Sequence, residues 1–127
     1  MSVRVAIVGG GPKALHALER LVAHLPRHAN AQVDVFEPST PGAGPAYAPD
    51  VHPALLMNLR SELVDAWPRS GPQSVPTGPS HPTFAAWSTT QGANVEPQDA
   101  APAEYASRAT VGAYLSDALQ RVVRDAA

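Results

Sequence analysis

The sequence predicts an α/β fold built on a βαβ unit, and three observations in its N-terminal third carry that expectation. Val3, Val5, Ala6, Ile7 and Val8 form a short, mostly apolar run of the kind that parallel sheets bury on both faces. The run leads directly into Gly9, Gly11 and Ala14, which fall on G-x-G-x-x-G/A spacing. A helical repeat and a second apolar strand then follow in βαβ order.

The glycine turn has a physical reading position by position. Gly9 permits a tight turn out of the strand, and Gly11 lets the backbone approach a pyrophosphate where a side chain would collide with it. Ala14, in place of a third glycine, still allows close packing of helix on strand. Pro12 suits the first helical position, where a missing N–H costs nothing and φ is already helical. Lys13 can pair with a phosphate, or simply be solvated in the first turn.

Ala14, Leu15, Leu18, Leu21, Val22 and Leu25 recur at helical spacing, and Pro26 ends the pattern. Gln32 to Glu37 reads as the second strand, stopped by Pro38. Glu37 therefore sits at its carboxyl end, where an acid accepts hydrogen bonds from an adenosine ribose and repels a 2′-phosphate. The segment Arg27 to Ala31 absorbs a separation from the glycines slightly longer than usual. Together these features predict a Rossmann-like dinucleotide-binding unit taking FAD or NAD rather than NADP. An ordinary strand-to-helix turn followed by an exposed acid is the plainer alternative.

Composition sets the outer limits. The 127 residues carry a net charge of −2, so nothing suggests a basic nucleic-acid surface, and the absence of cysteine excludes disulfides, thiolate metal sites and a cysteine nucleophile. No apolar run approaches membrane-spanning length, and no leader pattern is present, so a soluble cytoplasmic protein is expected. Much of the apolar content is Ala and Val, which predicts a modest core. His16, His24 and His28 form no ligand pattern; no metal site is expected.

Beyond Pro38 the pattern loosens. Ser39 to Asn58 reads as a long ordered loop over the nucleotide, and Leu59 to Trp67 as one short element of undefined type. Pro68 to Ser80, with four prolines, reads as an irregular, mobile surface insertion. A short helix is expected over His81 to Thr90, irregular chain from Gln91 to Glu104, and a closing helix over Thr110 to Asp125. Val111, Leu115, Leu119, Val122 and Val123 are its expected apolar stripe, and Trp67, Phe84 and Trp87 are expected in the core.

Four blocks add a resemblance to this reading: VAIVGGGPKALHALERL from Val5, FEPSTPGAGPAY from Phe36, LLMN from Leu55 and RATVGAYL from Arg108. In that order they resemble the amino-terminal FAD/NAD(P)-binding region of the family that includes FAD-dependent urate hydroxylase and aspartate N-monooxygenase. More distantly they resemble flavin-dependent ornithine and lysine N-hydroxylases. The resemblance implies that the glycine turn holds the ADP half of FAD and that NAD(P)H is the electron donor of the full-length enzyme. It places Tyr47, Met57 and Asn58 near the flavin and gives Arg108 a cofactor or substrate contact; loop packing and a helix start are the plainer roles. No catalytic acid or base is named, because in such enzymes the cofactor supplies the chemistry.

Members of that family are several times longer. The expectation is therefore a single, incomplete domain over 1–127, part of a larger doubly wound flavoprotein fold whose remainder can be a separate chain. A non-catalytic FAD/NAD-binding module, or a truncated remnant, is the alternative.

Overall fold

The computed structural model describes residues 2–26, 29–91 and 104–127. Strand β1 (Val3–Val8), helix α1 (Pro12–His24) and strand β2 (Ala31–Phe36) form the expected βαβ unit. The strands pair in parallel, in register from Val3 opposite Ala31 to Val8 opposite Phe36. Ile7, Val33 and Val35 pack against the core.

The expectation that β1 is buried on both faces is corrected. Alternate side chains belong to opposite faces, and the face bearing Arg4, Ala6, Val8, Gln32 and Phe36 is open, with Val8 87% and Phe36 58% exposed. An Arg4–Asp34 ion pair at 3.3 Å crosses that face. Parallel strands become fully buried only where helices cover both sides, and here the buried layer lies on one side alone.

Helix α1 buries Ala14, Leu15 and Leu18, and ends where the Leu25 N–H donates to Leu21 O ahead of Pro26. Arg27 and His28, in the segment expected to absorb extra length, lie outside the described residues. Helix α2 (Phe84–Thr90) starts later than His81 because Thr83 is its N-cap, accepting from the Ala86 N–H at 3.2 Å. Helix α3 (Arg108–Ala126) starts earlier than Thr110 for the same reason: Ser107 caps it by accepting from the Thr110 N–H. The irregular chain expected between Gln91 and Glu104 falls almost wholly outside the described residues.

Val111, Leu115, Leu119 and Val122 form the buried stripe of α3 as expected, but Val123 is 53% exposed. One residue further along a helix is a rotation of about 100°, which carries Val123 off the stripe, while Tyr114 and Ala118 fill it. Tyr114 packs with Phe84 and Trp87, ring centroids 5.6 Å away in both cases, and Trp67 is buried in the same cluster. Inside it the Tyr114 hydroxyl accepts from the Ala66 N–H at 3.0 Å and donates to Pro82 O at 2.8 Å.

The chain from Leu59 to Trp67 contains a single 3-10 turn, Ser61–Leu63. Residues 68–80 contain no helix, and three arginines hold them: Arg20 donates to Gln73 O at 3.3 Å, Arg121 donates to Pro79 O at 2.8 Å, and Arg69 makes the densest set of bonds. The Arg69 guanidinium donates to Asp65 at 2.7 Å, to Val75 O at 3.0 Å and to His81 O at 2.8 Å.

Candidate functional site at the mouth of the βαβ unit

The glycine turn hangs from the ends of the two strands. The Gly9 N–H donates to Phe36 O at 2.9 Å, continuing the sheet by one bond, and Gly9 then takes φ of +92°, a conformation that L side chains rarely adopt. Next, the Gly10 N–H donates to Glu37 Oε2 at 2.7 Å. Glu37 Oε1 accepts from the Ser39 hydroxyl at 2.7 Å and the Ser39 N–H at 2.9 Å. The acid expected at the end of β2 is thus fixed beside the turn, and these donors, Ser39 foremost, hold its pKa below the usual carboxylate value.

Steric demand falls differently from the fingerprint spacing. A Cβ on Gly10 would lie 2.5 Å from Glu37 Cβ, so any side chain there forces Glu37 to shift. A Cβ on Gly11 would meet only Gly44 Cα at 3.8 Å and Ala43 O at 3.9 Å, ordinary contacts. Within the protein, Gly10 is the crowded position; the space at Gly11 is left to whatever approaches from outside.

Gly11 is the N-cap of α1 and Pro12 its first residue. The first helical bond runs from the Leu15 N–H to Gly11 O, so the N–H groups of Gly11, Lys13 and Ala14 have no acceptor among the described residues. No acidic side chain occupies the first turn, and the Lys13 side chain is exposed beside it. Unsatisfied donors, the positive end of the helix dipole and a lysine make a setting that suits a pyrophosphate. Ala14 is buried, as close packing of helix on strand requires.

Part of the long loop after Pro38 lies against the turn. The Gly42 N–H donates to Gly10 O at 2.6 Å, and a Cβ on Gly44 would come within 3.2 Å of Gly11 Cα. The loop's other side rests on α3. A Cβ on Gly42 would lie 2.7 Å from Leu115 O, the Ser116 hydroxyl donates to Pro41 O at 2.7 Å, and a Cβ on Gly112 would collide with Tyr47 O. Residues 41–47, ending in the 3-10 turn Pro45–Tyr47, are therefore sandwiched between glycine turn and helix.

The remaining expected residues gather at the start of α3. The Met57 N–H donates to Ala106 O and the Arg108 N–H to Leu55 O, both at 2.8 Å, around a bridge between Leu56 and Ser107. This short ladder brings Met57, Asn58 and Arg108 together; Met57 packs against the core, Asn58 is exposed and Arg108 is half-buried. Tyr47 lies one helical turn further along, its carbonyl at Gly112. Gly9, Gly11, Pro12, Lys13, Ala14 and Glu37 form the other group.

Sequence reasoning passed over Gly10, Ser39, Gly42, Gly44, Gly112 and Ser116 as individual residues. Gly112 carried a usable signal: a glycine inside an amphipathic helix is costly and needs a packing reason. His16 is exposed, and the His24 ring meets Arg20 O at 2.7 Å. His81 stands edge-on to Trp67, centroids 4.6 Å apart. Among the described residues no group of three His, Cys, Asp or Glu could hold a metal ion. No described helix is long and apolar enough to cross a membrane.

Parallel βαβ topology, a glycine turn at its mouth, an open helix N-terminus and an acid closing the second strand together define a Rossmann-like nucleotide-binding unit. The chain belongs to the FAD-NAD(P)-binding family, whose model matches residues 6–127. It is similar to nitrosuccinic acid synthase npaA of Aspergillus oryzae, 36% identical over 128 residues that cover 96% of this chain and 19% of that protein. It is also similar to an L-aspartate N-monooxygenase (nitrosuccinate-forming) of Streptomyces cremeus, 31% identical over 144 residues, 97% of this chain and 22% of that protein. The chain spans about a fifth of the length of these curated relatives.

Proposed function

We propose that this chain holds the ADP half of FAD within a flavin-dependent, NAD(P)H-using oxidoreductase that oxygenates an amine nitrogen, as the names of the two relatives suggest for those proteins. The observation that carries the reading is the pairing of a donor-rich α1 start with Glu37 fixed beside it by Gly10 and Ser39. The N–H groups of Gly11, Lys13 and Ala14 bind the pyrophosphate, with the Lys13 ammonium adding charge, while Pro12 presets the turn and Ala14 packs α1 close to the sheet. Gly9 supplies the turn out of β1. Glu37 accepts the ribose hydroxyls and disfavours a 2′-phosphate, which selects FAD over NADP at this position.

When bound, the flavin supplies the redox chemistry, moving electrons from NAD(P)H toward oxygen. The protein's part here is to bind and orient. In this reading Tyr47, Met57, Asn58 and Arg108 line the path from the ADP half toward the flavin ring, with Arg108 the positive group at its far end. The open face of the sheet, with Val8 and Phe36 exposed, favours a further layer of polypeptide, in the same chain or a separate one, completing a doubly wound fold. A cytoplasmic setting belongs to the same proposal and suits a sequence without cysteine.

Fluorescence titration of FAD against the wild-type chain and Gly11→Val tests the assignment. Saturable binding by the wild type and its loss in the variant are expected, since the valine methyls fill the approach that Gly11 leaves open. Equal binding by both, or none by the wild type, would refute it.

A further inference from the structure

Gly112 lies near the start of α3, about a hundred residues from the glycine turn in sequence, yet three contacts link the two. Glycine is the poorest helix former after proline, so its place in the second turn of a 19-residue helix calls for a reason. The reason is the Tyr47 carbonyl, which occupies the position a Cβ would take. This approach seats residues 41–47 against α3, and the Ser116 hydroxyl bonded to Pro41 O at 2.7 Å holds the other end of the same segment. So seated, the loop presents the Gly42 N–H to Gly10 O at 2.6 Å.

That last bond fixes an orientation. In a trans peptide the C=O and the following N–H point in opposite directions, so capturing Gly10 O on the loop side turns the Gly11 N–H to the other side. The Gly11 N–H has no acceptor among the described residues and is one of the donors assigned above to the pyrophosphate. We infer that Gly112, with Ser116 and Gly42, is a positioning residue for the diphosphate of the bound nucleotide: α3 sets the loop, the loop sets the Gly10–Gly11 peptide, and that peptide aims its N–H at phosphate. The inference rests on the proposed nucleotide site and goes beyond it, because none of the three residues touches the ligand.

The consequence is selective. The adenosine half meets Glu37, which is held by Gly10 N–H and Ser39 and not by residues 41–47, whereas the phosphates meet the peptide that residues 41–47 orient. Calorimetric titration of ADP and of adenosine into the wild-type chain, Gly112→Ala and Ser116→Ala reads this difference. Misplacing a donor by a fraction of an ångström or more should lower ADP affinity by about tenfold in Gly112→Ala and roughly threefold in Ser116→Ala, with adenosine affinity unchanged in both. Ser116→Ala replaces a half-exposed residue with a better helix former, so it keeps the test alive if Gly112→Ala does not fold. Equal losses for ADP and adenosine would mean general destabilisation and overturn the inference, as would unchanged ADP binding in Ser116→Ala and in any folded Gly112→Ala. A wild-type chain that binds neither ligand would overturn the nucleotide site itself and this inference with it.

Discussion

Gly10→Ala and Gly11→Ala invert the ranking that fingerprint spacing suggests. At Gly10 the new methyl would stand 2.5 Å from Glu37 Cβ and 3.1 Å from Glu37 Cγ, so the start of the Glu37 side chain must move. Forced overpacking of this kind costs about 1–3 kcal/mol, and the smaller unfolded-state entropy of alanine offsets about 0.4–1 kcal/mol, leaving a net loss near ~1.3 kcal/mol. With an unfolding entropy of roughly 2.1 cal/mol/K per residue, that loss lowers Tm by about 5 °C. At Gly11 the methyl meets ordinary contacts at 3.8 and 3.9 Å, and the backbone is extended with φ of −77°, so no overpacking arises; the same entropy gain is opposed only by the poorer fit of alanine at the N-cap of α1, and Tm should change little. Thermal unfolding by circular dichroism, without nucleotide, reads both values. In the proposed site nucleotide binding reads the two positions again: Gly10→Ala is expected to displace the ribose acceptor and Gly11→Ala to crowd the pyrophosphate, so both should bind FAD more weakly. A Gly10→Ala chain as stable as wild type beside a Gly11→Ala chain destabilised by more than about 1 kcal/mol would refute the packing argument.

Three further outcomes are expected. The native pKa of Glu37 is depressed, so its contribution is complete at and above the ordinary carboxylate value of about 4.3 and is lost only as pH falls through the lower native value; FAD affinity followed downward from neutral pH should therefore persist through that ordinary value, and a loss centred at or above it would contradict the Ser39 and Gly10 bonds. Tyr114→Phe leaves the buried Ala66 N–H without its acceptor, which costs about 1–3 kcal/mol, and urea unfolding should show a lower midpoint at unchanged slope. Removing the Arg69 guanidinium with Arg69→Ala frees Val75 O and His81 O together. Limited proteolysis should then cut within 68–80 faster than in wild type while spectroscopy shows the rest of the fold intact, and an unchanged cleavage rate would mean that Arg69 does not tie this segment down.

What the sequence revealed depended on how local the determining physics was. The βαβ unit was legible because each of its signals lies within a few residues: a short apolar run for each strand, Pro12 and Gly11 for the start of α1, Pro26 for its end. The same holds for the placement of Gly9, Pro12 and Glu37, which follows from turn and strand-end chemistry. Residues whose role comes from distant chain were not legible. Gly10 reads as an interchangeable spacer until Glu37 is seen against it, and Gly112 as a weak point in a helix until Tyr47 O is found beside it. Val123 was misplaced for a related reason: a valine pair at the end of a stripe can extend it or leave it, and only the packed neighbours, here Tyr114 and Ala118, decide which. Both corrected helix starts came from Ser107 and Thr83, caps that sequence reasoning left unassigned.

The open face of the sheet carries a thermodynamic consequence for assembly. The turn proposed to receive the nucleotide is suspended from the last pair of the ladder, Val8 beside Phe36, through the bond from the Gly9 N–H to Phe36 O. Strand ends exposed to water fray, and fraying there loosens the turn. A layer of polypeptide laid over Val8 and Phe36 suppresses that fraying and so strengthens cofactor binding; by linkage, bound cofactor must tighten the grip of that layer by an equal free energy. Under the proposed function, cofactor loading and covering of this face are in this way two readouts of one equilibrium.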